Sequence, residues 1–188
     1  MPHQNRVTPY GDIIVSPRKG AWMGNRGCIH EGTDIVRRWA TKRWITCRLE
    51  YKGWVAPKWA PGRWTALFFE DEYVALAAGH RPCALCRRPD YNAYLTAVGE
   101  TRADDVDARL HGERLRLHSE PWQSLPDGAF VDLDGVAALV RGDALTPWDA
   151  ITGYGDAHDR PRRGDATVIT PALNVSALRA GYEAVPLT

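Results

Sequence analysis

The sequence predicts an α+β protein, a small antiparallel sheet with a zinc-pinned helical segment followed by a β-meander-rich C-terminal part. Three observations predict it. Residues 43–55, RWITCRLEYKGWV, alternate apolar and polar side chains with the period of a strand. Residues 70–117 carry helical signals interrupted by the turn-forming RPCALC at 81–86. Beyond residue 122, short β-prone runs are separated by Asp-Gly and Gly-Asp turns.

Taken in chain order, residues 1–30 read as an irregular, Gly-rich arm, because SPRKGAWMGNRGCIH shows neither a period of 2 nor one of 3.6. In the strand that follows, Ile45, Cys47, Leu49 and Tyr51 share one face, with Thr46, Arg48 and Glu50 on the other. APKWAPG is a turn-rich connection and RWTALFF a partner strand. EDEYVALAAG reads as a short helix with acids in its first turn and Gly79 as its stop. Pro82 suits the first turn of a new helix carrying Cys83 and Cys86, which Pro89 ends or kinks. Asp90 then caps YNAYLTAVG, and ADDVDARLHGERLRL is a further amphipathic helix with Val106, Leu110 and Leu117 on one stripe. ATVITP is a last strand and NVSALRAGY a C-terminal helix capped by Asn174. The expected organisation is a basic zinc-binding part over 1–120 and an acidic β-rich part over 121–188, packed as one unit.

Composition fits a globular protein, with 44% hydrophobic and 25% charged residues. No stretch has the length of a signal peptide's apolar core or of a membrane span, so the expected compartment is cytoplasmic, with no membrane partner. In reducing surroundings the four cysteines, Cys28, Cys47, Cys83 and Cys86, are expected to be thiols or metal ligands. The net charge of +1 conceals an asymmetry: residues 1–88 hold 15 basic against 7 acidic side chains, residues 89–188 hold 9 against 16. Six of the eight tryptophans lie in the basic half. Basic and aromatic residues together suit a surface that tracks phosphates and stacks on bases, although core tryptophans and solvated charges give the same composition. The opposed charges also permit self-association, or docking of the halves on each other.

Zinc takes four ligands, and Cys83-x-x-Cys86 supplies two. Cys28 and His30, two apart in a Gly-rich turn, are the expected second pair, giving a closed structural Cys3His site of Cys28, His30, Cys83 and Cys86. The alternative for Cys83 and Cys86 is a redox pair, which wants a strand before the motif where a helix is expected here. Cys47 is either a buried inert thiol, an alternative ligand in place of His30, or a reactive thiolate beside the metal. His80 is either a turn residue or a group near the metal or a phosphate.

The stretch LFFEDEYVALAAGHRPCALCRRPDY, about 25 residues, resembles the zinc-binding N-terminal domain of the Ada family of DNA methylation-repair proteins. The shared features are the aromatic pair, a short helix ending Ala-Ala-Gly, and Arg-Pro-Cys-x-x-Cys with Arg87, Pro89 and Asp90 after it. The resemblance implies a zinc-stabilised fold of that kind and a nucleic-acid-facing surface. In the family two upstream cysteines complete the zinc site, and one accepts a methyl group from a DNA phosphotriester. Cys47 falls near the first of those positions and Tyr51 occupies the second, a departure that leaves Cys28 and His30 as the completing pair.

The expected function is therefore a zinc protein that binds DNA or RNA, or serves in DNA repair. Arg37, Arg38, Lys42, Arg43, Arg48, Arg81, Arg87 and Arg88 would contact phosphates, and Trp44 or Trp54 would stack. A zinc-scaffolded enzyme of unstated reaction and a protein-interaction module are the alternatives. The sequence carries no Walker loop, dinucleotide fingerprint or His-Glu-x-x-His.

Overall fold

A computed structural model describes residues 2–186 and shows an α+β chain in which strands outnumber the four α-helices. The N-terminal segment is strand-bearing rather than irregular. It forms β1 (Gln4–Val7), β2 (Ile13–Val15) and β3 (Trp22–Asn25), each of only three or four residues and therefore too short to show a period. The small β4 (His30–Glu31) and β5 (Asp34–Ile35) pair with each other, and a loop leads to β6 (Ile45–Cys47). The alternating stretch stops as a strand at Cys47 and resumes as a separate hairpin of β7 (Glu50–Tyr51) and β8 (Trp54–Val55). Lys52 and Gly53 at its tip have φ of 53° and 76°, both left-handed, as a two-residue hairpin turn requires.

β9 (Leu67–Phe69) leads into α1 (Glu72–Ala77), whose amino end is capped by Asp71 through the Val74 amide at 2.9 Å. β10 (Arg81–Pro82) follows Gly79, and α2 (Arg88–Val98) and α3 (Ala103–Glu113) complete this part. Cys83 and Cys86 therefore sit in the turn before α2, not on a helix, and Pro89 opens α2 instead of ending one. The first sheet has the order β10-β6-β3-β9-β1-β2. It is mixed rather than antiparallel, because β10 runs parallel to β6 and β1 parallel to β9.

The second sheet is the expected meander. β11 (His118–Pro121), β12 (Phe130–Leu133), β13 (Val136–Arg141), β14 (Ala144–Asp149), β15 (Gly153–Tyr154), β16 (His158–Asp159) and β17 (Asp165–Val168) pair antiparallel throughout. The closing helix α4 (Ala172–Arg179) starts before Asn174. Asn174 is buried instead of capping: its amide donates to the Leu76 carbonyl at 2.7 Å and its Oδ1 accepts from the Tyr94 hydroxyl at 2.6 Å.

One apolar cluster draws Val7, Trp22, Leu67, Phe69 and Val74 from the first part together with Phe130, Leu139 and Ile169 from the second. Three consecutive acids, Glu70, Asp71 and Glu72, fasten the same junction. Glu70 accepts from Arg18 and from the Trp148 indole (2.7 Å), Asp71 from the Tyr154 hydroxyl (2.7 Å), and Glu72 from Arg87 (2.7 Å) and the Tyr182 hydroxyl (2.7 Å). Burial pushes the Asp71 carboxyl up to about 6 in spite of these bonds. Among the described residues no helix is long and apolar enough to cross a membrane.

Candidate metal centre

The parallel pairing of β10 with β6 decides which cysteines meet. Arg81 lies opposite Ile45 and Pro82 opposite Thr46, so the register carries Cys83 to the end of β6 beside Cys47. The Cys83 amide donates to the Thr46 carbonyl at 2.9 Å and extends the ladder to that point. The following turn, closed by the Arg87 amide on the Cys83 carbonyl at 3.1 Å, brings Cys86 back to the same place. The three sulfur atoms lie within 4.8 Å of one another, close enough to share one metal ion. Zinc–sulfur bonds of about 2.3 Å put ligand sulfurs about 3.8 Å apart in a tetrahedron, so the cluster fits such an ion with small adjustment.

Sulfurs at this separation act on one another directly. The Cys83 thiol is pulled well down, first by the hydrogen bond from Cys47, then by that from Cys86, with burial opposing. The same contacts, together with burial, push the Cys47 thiol up. Two backbone amides are also aimed at sulfur, Leu85 at Cys83 and Arg48 at Cys86, each at 3.4 Å. Such donors stabilise thiolate, the form that binds metal. Cys47 and Cys83 are buried in an apolar cluster with Met23, Ala56 and Ala66, while Cys86 is half-buried.

Cys28 and His30 do not join this group, which corrects the expected ligand set. Their segment is held by Thr65 instead. The Thr65 hydroxyl accepts from the Ile29 amide at 2.9 Å and meets His30 Nδ1 at 2.6 Å, and the His30 ring stands edge-on to Trp59. Cys47, which the sequence left open as a ligand in place of His30, lies with Cys83 and Cys86 instead. The signal that pointed to it was the position of the first upstream cysteine in the Ada resemblance.

The eight basic residues separate by burial. Arg37, Arg38, Lys42, Arg43, Arg48 and Arg88 are exposed. Arg81 and Arg87 are not available to phosphates: Arg81 is 2% exposed and held by both Asp107 oxygens at 2.9 and 2.7 Å, and Arg87 is fully buried against Glu72 and Asp90. Trp44 is likewise removed as a stacking surface. It is buried under the Arg26 and Arg114 guanidiniums, 3.8 and 4.5 Å from its ring. Trp54 is 53% exposed on the β7–β8 hairpin and Trp39 is 40% exposed in the loop that carries Arg37, Arg38, Lys42 and Arg43. His80 is a core histidine, packed on Phe69 and Trp44, with Nε2 accepting from Arg26 at 3.3 Å.

A groove of about 730 Å³ runs between that basic loop and α3. Lys42 and Arg43 stand on one wall and Asp104 and Asp107 on the other, the Asp107 charge being matched by Arg81. Ile45 and Trp64 line the groove and also pack against the apolar cluster that holds Cys47 and Cys83. Comparison with family models, with curated proteins and with solved structures gives no match to this chain.

Proposed function

We propose that this chain is a zinc protein of the Ada-like kind that holds its ion on Cys47, Cys83 and Cys86 and binds DNA or RNA along the adjoining groove. The observation that carries the reading is the continuity of that groove, from the exposed Lys42 and Arg43 along Ile45 and Trp64 to the cluster containing Cys47. Lys and Arg side chains displace counterions from a phosphate chain, and indole rings stack on bases without regard to sequence. Arg37, Arg38, Arg48 and Arg88 extend the basic surface, and Trp39 and Trp54 supply faces for stacking. The zinc, on this reading, fixes β6 to the turn before α2 and so fixes the end of the groove.

The test is fluorescence-anisotropy titration of short labelled DNA and RNA over a range of salt. The logarithm of affinity should fall linearly with the logarithm of salt, by about 0.9 for each phosphate neutralised on duplex DNA. Replacing Lys42 and Arg43 by Gln should lower that slope, whereas Arg162 and Arg163, exposed on the far loop of the second sheet, should be dispensable. Absence of binding at about 50 mM salt, or equal losses in both pairs of variants, would overturn the nucleic-acid part.

A further inference from the structure

We infer that the metal centre takes its fourth ligand from outside the chain, and that the ligand is a thiolate, from a small thiol that carries its own negative charge. The inference rests on the zinc reading and specifies what that site binds. Three thiolates are what the chain offers: among the described residues no His, Asp, Glu or further Cys joins Cys47, Cys83 and Cys86. Zinc completes a set of four, and sites with three protein ligands keep the last position for an exchangeable group.

The approach to that position is visible in the burial pattern. Cys47 and Cys83 face the apolar cluster, at 8% and 7% exposure, and Cys86 is half-buried. Leu85, between the two cysteines of the turn, is 69% exposed, so the turn is on the surface. Arg48, the residue after Cys47, is exposed and reaches across to donate to the Cys86 carbonyl at 3.2 Å. Its guanidinium therefore stands beside the cluster on the open side. Leu49, Trp54 and Val55 offer exposed apolar surface nearby in the chain.

The class of ligand follows from charge and softness. A divalent ion on three thiolates carries one net negative charge, and zinc is soft enough to favour a sulfur donor over a hard oxygen anion. An anionic thiol adds further negative charge, and exposed Arg48, hydrogen-bonded to Cys86, provides a compensating cation beside the site. On binding, the thiol releases its proton to solvent and its sulfur replaces a water on the ion. No electron is transferred.

The full chain loaded with Co²⁺ in place of zinc gives a direct readout, with N-acetylcysteine as the probe and imidazole as the neutral comparison. Saturation at one equivalent, a shift of the visible cobalt bands, and a rise in the sulfur-to-cobalt absorption as a fourth sulfur joins three are expected, with cobalt still bound after desalting. Arg48→Ala should weaken the thiol several-fold without loss of cobalt. Tyr51→Phe, which removes the hydroxyl four residues after Cys47, and Met23→Leu, which removes the thioether of the same apolar cluster, should leave the cobalt spectrum before thiol addition unchanged. A spectrum that thiol does not alter, or one that either of these two variants changes, overturns the inference and leaves the zinc reading standing. A preference for imidazole over the thiol overturns it in the same way. A chain that fails to take up cobalt overturns both.

Discussion

Arg87 and Glu72, fifteen residues apart, form a fully buried pair in which the guanidinium meets both carboxylate oxygens at 2.7 Å. Glu72 also accepts from the Tyr182 hydroxyl and from the Val185 amide at 2.9 Å, so the pair closes the end of the chain over α1. The Trp22 ring covers the other side of the guanidinium at 4.1 Å.

Arg87→Met leaves Glu72 buried without its counter-charge and should cost about 3–5 kcal/mol of stability. Arg88→Met, one position on but exposed, should change stability by about 0.5 kcal/mol or less. Urea denaturation of both variants measures the difference. Equal costs would mean that Arg87 does not carry the junction.

The metal content should follow the sulfur cluster and not the sequence spacing of Cys28 and His30. Cys47→Ser, Cys83→Ser and Cys86→Ser should each reduce zinc from about one ion per chain towards none, while Cys28→Ser and His30→Asn retain it. Elemental analysis of the purified variants decides this. Zinc kept by Cys47→Ser and lost by Cys28→Ser would restore the other ligand set.

Chelation of the ion should lower the melting temperature of the wild-type chain by several degrees, because binding to the folded state alone adds to its stability. In Cys47→Ser the same chelator should change nothing, since β6 and the turn before α2 are no longer tied together. Differential scanning calorimetry with and without chelator provides the comparison.

Asp71 gives a pH dependence with a defined sign. Its carboxyl, raised to about 6 by burial, holds a proton more tightly folded than unfolded, where the usual value is 3.8. Its contribution to stability is complete below about 4 and is lost as pH rises through about 6, a difference of about 3 kcal/mol. Buried His80, pushed well below its ordinary value by burial and by Arg26 and Arg114, works in the opposite direction, losing stability as pH falls below about 6.5. The contrast between wild type and Asp71→Asn isolates the carboxyl. The variant, still able to cap α1, should match wild type near pH 4 and exceed it near pH 8. A constant deficit at both values would show that the ionised carboxylate is not the cost.

The parts of the fold legible in the sequence were those set by local signals. The acids of its first turn and Gly79 mark α1, and the Asp-Gly and Gly-Asp turns mark the meander, whereas the Lys52-Gly53 turn inside the alternating stretch reads as strand. What remained hidden was long-range. The meeting of Cys47 with Cys83 and Cys86 depends on a parallel ladder between segments some thirty-five residues apart, and periodicity within either segment is silent about that pairing. The roles of Arg81 and Arg87 were misread for a related reason. Their carboxylate partners, Asp107 and Glu72, lie 26 and 15 residues away, and a basic residue in a run of basic residues gives no sign that it is buried. Cys28 and His30 met the spacing of a ligand pair, but Thr65, 35 residues on from His30, satisfied their turn by hydrogen bonding.

The acidic run Glu70-Asp71-Glu72 also bears on how the protein can be divided. A change of composition near residue 120 invites separate expression of the two halves. The partners of Glu70 and Asp71 are Trp148 and Tyr154, and Glu72 is satisfied from Tyr182 and Val185. A polypeptide ending at 120 would therefore keep its thiols, and the partners Arg18, Val74 and Arg87, but each of the three carboxylates would lose the donors that come from the second part. The charge asymmetry suggests two modules, yet the acids and a shared apolar cluster tie them together, and a fragment carrying the three thiols would need that surface redesigned.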